Sequence, residues 1–371
     1  MIIEFQKYCK VIIISTLALL VVGCANQKEY SNLRLNEIQI IGSHNSYKIA
    51  IEKELWNIIF QKDSSLAYSL QYEHPSISEQ LNLGLRNLEI DLFYDPKGGK
   101  YSHPHGLELL KSLNNEVISF DESGELKTPG LKIFHIQDID FRSHNLLFKN
   151  CLEELKKWSE HNSGHLPVII TVNAKDHIIN EPNIRVSLPF TKNALDSIDI
   201  EIKSVFAESK LITPKLIQGK FSTLEEAVLK NGWPIIDTIR GRFLFVLDET
   251  GAKLKNYLNP DSNLIDKVMF INSEEGNPTA AFRIINDPEK NEDYIKSLVK
   301  KGYMVRTRAD ADTREAREDN YSRFEKAISS GAQVITTDYY LPSKLFKSNY
   351  KIIFGNGKYV KINSQLVSGS E

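Results

Sequence analysis

Short apolar runs recur along the chain, and most of them break off at a polar or charged side chain. Ile38-Gln39-Ile40-Ile41-Gly42 leads straight into Ser43-His44-Asn45-Ser46, the pattern of a buried strand running out into a loop. Leu85 to Phe93, Leu131 to Asp138 and Pro167 to Lys175 repeat it, and Phe243 to Asp248, Val268 to Ile271, Tyr303 to Arg306 and Gln333 to Asp338 continue it. Helical patterns fall between them. Ser76 with Glu79 three residues on is a capping box, and Gly84 closes that helix. Phe148, Cys151, Leu152, Leu155 and Trp158 form an apolar stripe, with Lys149, Glu153, Glu154, Lys156 and Lys157 opposite, which makes Cys151 a packing residue. Asp293 to Gly302 and Asn320 to Ser330 read as further helices, and Lys48 to Gln71 as a helix or lid. Asp95 to Gly99 is a turn, and Tyr350 to Ile362 reads as a hairpin about Gly355-Asn356-Gly357. Strands alternating with helices predict a single-domain α/β protein, a parallel TIM-type barrel with its site at the C-terminal rim and a C-terminal β-hairpin extension.

Length and charge narrow the picture little further. A chain of 371 residues is long for one domain but within the range of α/β barrels. The net charge of -2, with no long basic block, excludes nucleic acid as the expected partner. The first residues are set apart. Lys7 and Lys10 precede an apolar stretch, Val11 to Val22, of signal-peptide length and too short to span a bilayer. It ends in Leu20-Val21-Val22-Gly23-Cys24, which resembles a bacterial lipobox with Val21 in the usual Leu position. The expected organisation is a lipoprotein signal peptide over 1–23, lipidation at Cys24, a polar tether over 24–36 and the barrel over 37–371. An ordinary secretory signal with an incidental Cys is the alternative. Lipidation would make the protein an exported, membrane-anchored lipoprotein of the periplasm or cell surface. With Cys9 cleaved away and Cys24 acylated, only Cys151 remains, so no internal disulfide is available.

The strand ends carry the candidate chemistry. His44 can donate or accept a proton near neutral pH, and Asn45 offers an uncharged oxygen to a hard cation. Glu89 and Asp91 share one face of their strand while Leu88, Ile90 and Leu92 share the other. Two such carboxylates are costly to ionise in a dry interior, a cost that a metal ion removes; a half-exposed antiparallel strand would remove it equally. His135 lies near the end of the third strand, with His103 and His105 as loop alternatives for an acid. Arg306 and Arg308 share a face and could grip phosphate as planar forks or join an ion-pair network with Asp310, Asp312 or Asp338. Lys175 could hold a headgroup or pair with Glu89. Asp138 and Asp140 read as structural turn residues, and His161, His165 and His177 as loop residues without a role.

His44-Asn45, Glu89-x-Asp91, and a strand carrying His135 followed by a helix and the Pro167 strand together resemble the phosphatidylinositol-specific phospholipase C superfamily. Arg306-Thr307-Arg308-Ala309-Asp310 and Ser330-Gly331-Ala332-Gln333 are similar to stretches of its bacterial calcium-dependent group. The resemblance runs from about Ile38 to Asn363. It implies a distorted (β/α)8 barrel that cleaves phosphatidylinositol-type lipids by attack of the inositol hydroxyl, with one Ca2+ on Asn45, Glu89, Asp91 and the position of Asn173. The related eukaryotic enzymes carry Glu at that last position, so this chain has one negative charge and one possible base fewer. The resemblance makes His44 and His135 the histidines at phosphorus, His135 as acid and His44 as base or transition-state stabiliser. It implies a phospholipid or other phosphodiester substrate; the membrane is expected through the lipid anchor at Cys24, and the protein is expected to be a monomer. Two rivals stand beside it. Glycerophosphodiester phosphodiesterases share the barrel and the Glu-x-Asp pair but begin with His-Arg-Gly where this chain has His44-Asn45-Ser46. A non-catalytic lipoprotein that binds a polyol phosphate or glycan would also tolerate Asn173.

Overall fold

The apolar runs become strands paired in a ring. A computed structural model describes residues 30–113, 119–179, 183–258 and 263–368. Its strands are β1 (Ile38–Ser43), β2 (Asn87–Phe93), β3 (Lys132–Ile133), β4 (Val168–Ala174), β5 (Phe243–Leu247), β6 (Phe270–Ile271), β7 (Phe282–Ile284), β8 (Met304–Arg308), β9 (Val334–Thr337) and β10 (Val360–Ile362). The order β6-β5-β4-β2-β1-β9-β8-β7 is parallel at every step, and a single bridge between Asn272 and Phe282 joins its two ends. The protein is thus a nearly closed, single-domain α/β barrel of the TIM type. Helices cover the outside, so strands such as β2 are buried at every position. This removes the half-exposed antiparallel reading of Glu89 and Asp91, which stay in the barrel with both faces of their strand covered.

One seam is narrow. β1 and β2 share only the pair Gly42–Asn87. A Cβ on Gly42 would lie 2.3 Å from Asn87 Oδ1, so the absence of a side chain there lets the two strands approach. Asn87 then donates from Nδ2 to the Ile169 carbonyl on β4 at 3.1 Å, tying the first strands together above the seam. The helix Ile77–Leu83 starts on the predicted capping box, with Ser76 and Glu79 bonding reciprocally, and ends at Gly84 with φ 112°. Helix Phe148–His161 lays its apolar stripe on the barrel with Cys151 fully buried.

Three elements differ from expectation. The third apolar run is a two-residue strand, β3, antiparallel to the end of β2. The chain then turns between Ile136 and Asp140, with Asp138 at φ 75°, so His135 stands on a turn above the barrel rather than at the end of a barrel strand. The C-terminal hairpin is reduced to one bridge, Phe354–Lys358, because Val360–Ile362 finds a better partner: it pairs antiparallel with the lower half of β1, where β2 leaves the edge open. Residues 30–36, expected in the tether, pack on the barrel: Tyr30 and Leu35 are buried, and Arg34 bonds the carbonyls of Asn231 and Trp233. Tyr30 and Leu35 join the main hydrophobic cluster of the barrel, with Leu33 packed against it. The signal and lipidation sites up to Cys24 lie outside the described residues. Lys48 to Gln71 contains two helices, Lys53–Lys62 and Ser64–Ser69, over the rim.

Candidate active site

The strand ends converge on one polar cavity of about 190 Å3, lined by His44, Asn45, Glu89, Asp91, His135, Asn173, Lys175, Asp248, Asn286, Arg306 and Arg308. Every barrel residue expected at the site is among them. Parallel strands make this possible, because side chains at their C-terminal ends all reach the same rim. β1 delivers His44 and Asn45, β2 Glu89 and Asp91, and β4 Asn173 and Lys175, with Asp91 directly beside Asn173 in register. β8 supplies both arginines. His103 and His105 are not part of the lining; His105 pairs instead with Glu108 at 3.1 Å on an exposed helix turn.

The His44 loop is held on all sides. The His44 amide donates to the Thr337 carbonyl at 3.1 Å, and its own carbonyl accepts from His74 Nε2 at 2.7 Å. Asn45 adopts φ 47°, a left-handed conformation that Asn tolerates better than most residues. Its Nδ2 donates to the Tyr72 hydroxyl at 2.7 Å.

Each histidine is backed by a carboxylate that sequence reasoning left out of the site. His44 Nδ1 is 2.8 Å from Asp338 Oδ1, and His135 Nδ1 is 2.8 Å from Asp140 Oδ2. A carboxylate accepts, so each Nδ1 donates to its carboxylate and each Nε2 is the nitrogen on the cavity side. Arg308 donates from Nη1 to His44 Nε2 at 3.3 Å and from Nη2 to Asp338 Oδ2 at 3.2 Å, so the guanidinium holds the Nε2 lone pair until a substrate hydroxyl takes its place. Burial, and then the Arg308 guanidinium, push His44 well below its usual range despite the pull of Glu89, so it rests neutral. Asp338 was weighed as an ion-pair partner for the arginines, and it is one as well. Asp140 closes the turn as expected, through its backbone bridge to Ile136, and its side chain in addition reaches His135. Asp338 follows the last barrel strand as His44 follows the first, a positional signal that was present in the sequence; Asp140 lies beyond an irregular turn and had none. Asp138 does serve the turn, accepting the His105 amide at 2.9 Å and pairing with Arg185.

The remaining residues balance charge. Arg306 is buried and bonds Glu89 and, at 2.6 Å, Asn286 Oδ1. Lys175 pairs with Asp91 at 3.2 Å, not with Glu89, and Asp91 raises its pKa. Asp248, also missed, lies 3.8 Å from Arg306; burial pushes it up to about 7 even against that guanidinium. The expected residues fit a calcium ion by donor type. Asn173 gives its Nδ2 to Glu89 Oε1 at 3.0 Å and Asn45 gives its own to Tyr72, so both amide oxygens remain for another partner. Asp91 Oδ2 is buried and accepts no hydrogen bond of good geometry, its neighbour being the Lys175 ammonium. Two carboxylates and two amide oxygens are the hard donors that calcium prefers. Among the described residues no three His, Cys, Asp or Glu side chains form a metal cluster, so the amides are needed to complete the set.

A sequence profile of the Ca2+-dependent phosphoinositide phospholipase C family matches residues 33–364. The chain belongs to that family. It is therefore a calcium-dependent phosphodiesterase of the phosphoinositide phospholipase C type, and the glycerophosphodiesterase alternative is set aside. The fold is shared with the calcium-dependent phosphoinositol-specific phospholipase C of a Pseudomonas species. Its apo form with myoinositol superposes with a TM-score of 0.54 at 16% identity over 90% of this chain and 96% of that one. A second crystal form gives 0.50 at 17% identity over 90% and 97%. No curated protein matches the sequence.

Proposed function

We propose that this phospholipase C cleaves phosphatidylinositol-type lipids with His44 as base and His135 as acid on opposite sides of the phosphodiester. The observation that carries this reading is the pair of histidines on one small cavity, each with Nδ1 held by a buried carboxylate and Nε2 turned inward. The inositol hydroxyl beside the phosphodiester gives its proton to His44 Nε2 as its oxygen attacks phosphorus. His135 Nε2 gives a proton to the departing diacylglycerol oxygen, so the products are diacylglycerol and a cyclic inositol phosphate. Arg308 and Lys175 face the charge on the phosphoryl oxygens, while Arg306 holds Glu89 in place. Asn45, Glu89, Asp91 and Asn173 would hold calcium, which when bound lowers the pKa of the attacking hydroxyl and stabilises charge at phosphorus. Positively charged Lys175 and Arg306 already touch two of those ligands, and Asn173 adds no charge, so calcium binds weakly.

The lipobox-like stretch ending at Cys24 supports export as a lipid-anchored protein working on a membrane surface. Labelling with a radioactive fatty acid that persists in Cys24→Ser would refute the anchor. The catalytic reading is tested by releasing inositol phosphate from phosphatidylinositol vesicles with the full-length protein, with calcium and with chelator. Calcium-dependent release that His44→Ala and His135→Ala each lower at least about a hundredfold supports it. Calcium binding without release would point to another phosphodiester, and neither would point to a binding protein.

A further inference from the structure

The loop that brings His44 and Asn45 to the rim also sends a lysine beneath the second histidine. Lys48 is fully buried, and its Nζ lies 2.8 Å from Asp140 Oδ1, while Asp140 Oδ2 holds His135 Nδ1 at 2.8 Å. The ammonium also sits 4.9 Å from the centre of the Tyr72 ring, whose hydroxyl accepts the Asn45 amide. The Lys48 backbone is fixed too: its amide donates to the Asn45 carbonyl at 2.9 Å and its carbonyl accepts from His74 at 3.0 Å. A lysine with no exposed surface and a full set of fixed neighbours is costly to bury, and its ion pair is a poor source of net stability.

We infer that Lys48 is a positioning residue for proton donation: its buried ammonium is the permanent counter-ion that keeps Asp140 anionic after His135 has given its proton away. The inference deepens the proposed reading of His135 as acid and rests on it. When His135 carries both protons, Asp140 is paired twice, by the imidazolium and by Lys48. When Nε2 passes its proton to the diacylglycerol oxygen, the imidazole becomes neutral and only Lys48 still offsets the carboxylate, which has no solvent to turn to. Without Lys48 that carboxylate would be left unpaired in the interior, and the proton would be drawn back towards the Asp140–His135 pair rather than released. The same ammonium weakens the hold of Asp140 on the imidazolium, making it a better donor. Burial works to raise the Asp140 carboxyl, and Lys48 with His135 brings it net below its usual value, in keeping with a group held ionised. The proton count closes: one proton leaves Nε2, the Nδ1 proton stays on His135, and Lys48 changes nothing but the field.

The test is leaving-group dependence, which a merely structural lysine would not move. Phosphatidylinositol has an alkoxide leaving group that needs the acid, whereas the 4-nitrophenyl ester of inositol phosphate departs without a proton. With full-length protein and calcium, Lys48→Met is expected to lower kcat on phosphatidylinositol about a hundredfold with KM within about twofold, and to lower kcat on the aryl ester less than about tenfold. His135→Ala must show the same selectivity. If His135→Ala slows both substrates alike, the acid assignment itself fails. If His135→Ala is selective and Lys48→Met slows both alike, the acid stands and the role of Lys48 is overturned. Should Lys48→Met fail to fold because Asp140 is stranded, the double variant Lys48→Met/Asp140→Asn leaves no buried charge unpaired. It is expected to match Asp140→Asn alone on both substrates. A further loss of more than about tenfold on phosphatidylinositol would place Lys48 in some other role and overturn the inference.

Discussion

Asp338→Asn changes one atom and probes the base most directly. Asp338 Oδ1 accepts the Nδ1 proton of His44 at 2.8 Å and its Oδ2 faces Arg308 at 3.2 Å. An amide at this position can donate to Nδ1, which moves the imidazole proton to Nε2 and leaves no lone pair for the inositol hydroxyl. Loss of a positioned base removes about 10²–10⁴ of the rate, or about 2.7 to 5.4 kcal/mol of barrier lowering. The substitution also costs stability. Arg308 keeps Asp310 nearby as a counter-charge, so the loss falls below the ~3–5 kcal/mol of a fully stranded buried ion, at about 1–3 kcal/mol. The assay is initial-rate release of inositol phosphate at saturating calcium, with circular dichroism and urea unfolding to show that the variant is folded. The expected result is kcat down at least about a hundredfold with KM nearly unchanged. A folded Asp338→Asn that retains activity within about threefold would refute the argument, since His44 could not then depend on Asp338 for its tautomer.

Other outcomes follow from the same structure. Lys175→Met removes the cation beside Asp91 and Asn173→Glu adds a carboxylate beside it; each should tighten calcium about tenfold, read by isothermal titration, and unchanged affinity in both would place calcium elsewhere. Gly42→Ala drives a methyl into Asn87 at the single β1–β2 pair and should cost about 3 kcal/mol or more in urea unfolding, a loss that an unstrained surface site would not show. Glu201 accepts the Leu131 amide at 2.9 Å, and burial pushes its carboxyl up to about 7. A raised carboxyl favours the folded state while protonated, so that contribution is present below about pH 4.5 and lost as pH rises through about 7. Glu201→Gln should therefore raise the urea midpoint at pH 8 while changing it little at pH 4, and equal shifts at both would contradict the assignment.

Much of this protein could be read from its sequence because its information is local. Short apolar runs marked seven of the eight parallel strands, Phe282–Ile284 being the exception, and the capping box at Ser76 marked a helix start. The polar residues closing those runs line one cavity, since parallel strands carry their C-terminal residues to one rim whatever the details of packing. His44, Asn45, Glu89, Asp91, Lys175, Arg306 and Arg308 follow from that rule, and Asn173 from the family resemblance. Chain pairings beyond it depended on which partner was free in space. Only the folded barrel decided that Val360–Ile362 would join β1 rather than its own hairpin, because β2 leaves the lower edge of β1 open. It also decided that Tyr30 and Leu35 would cover the barrel instead of lying in a tether. The deepest such decisions concern Asp338, Asp140 and Lys48, which lie 294, 5 and 92 residues from the partners that give them meaning. A carboxylate behind a histidine is defined by distance and burial, and those are properties of the closed structure, not of the order of residues along the chain.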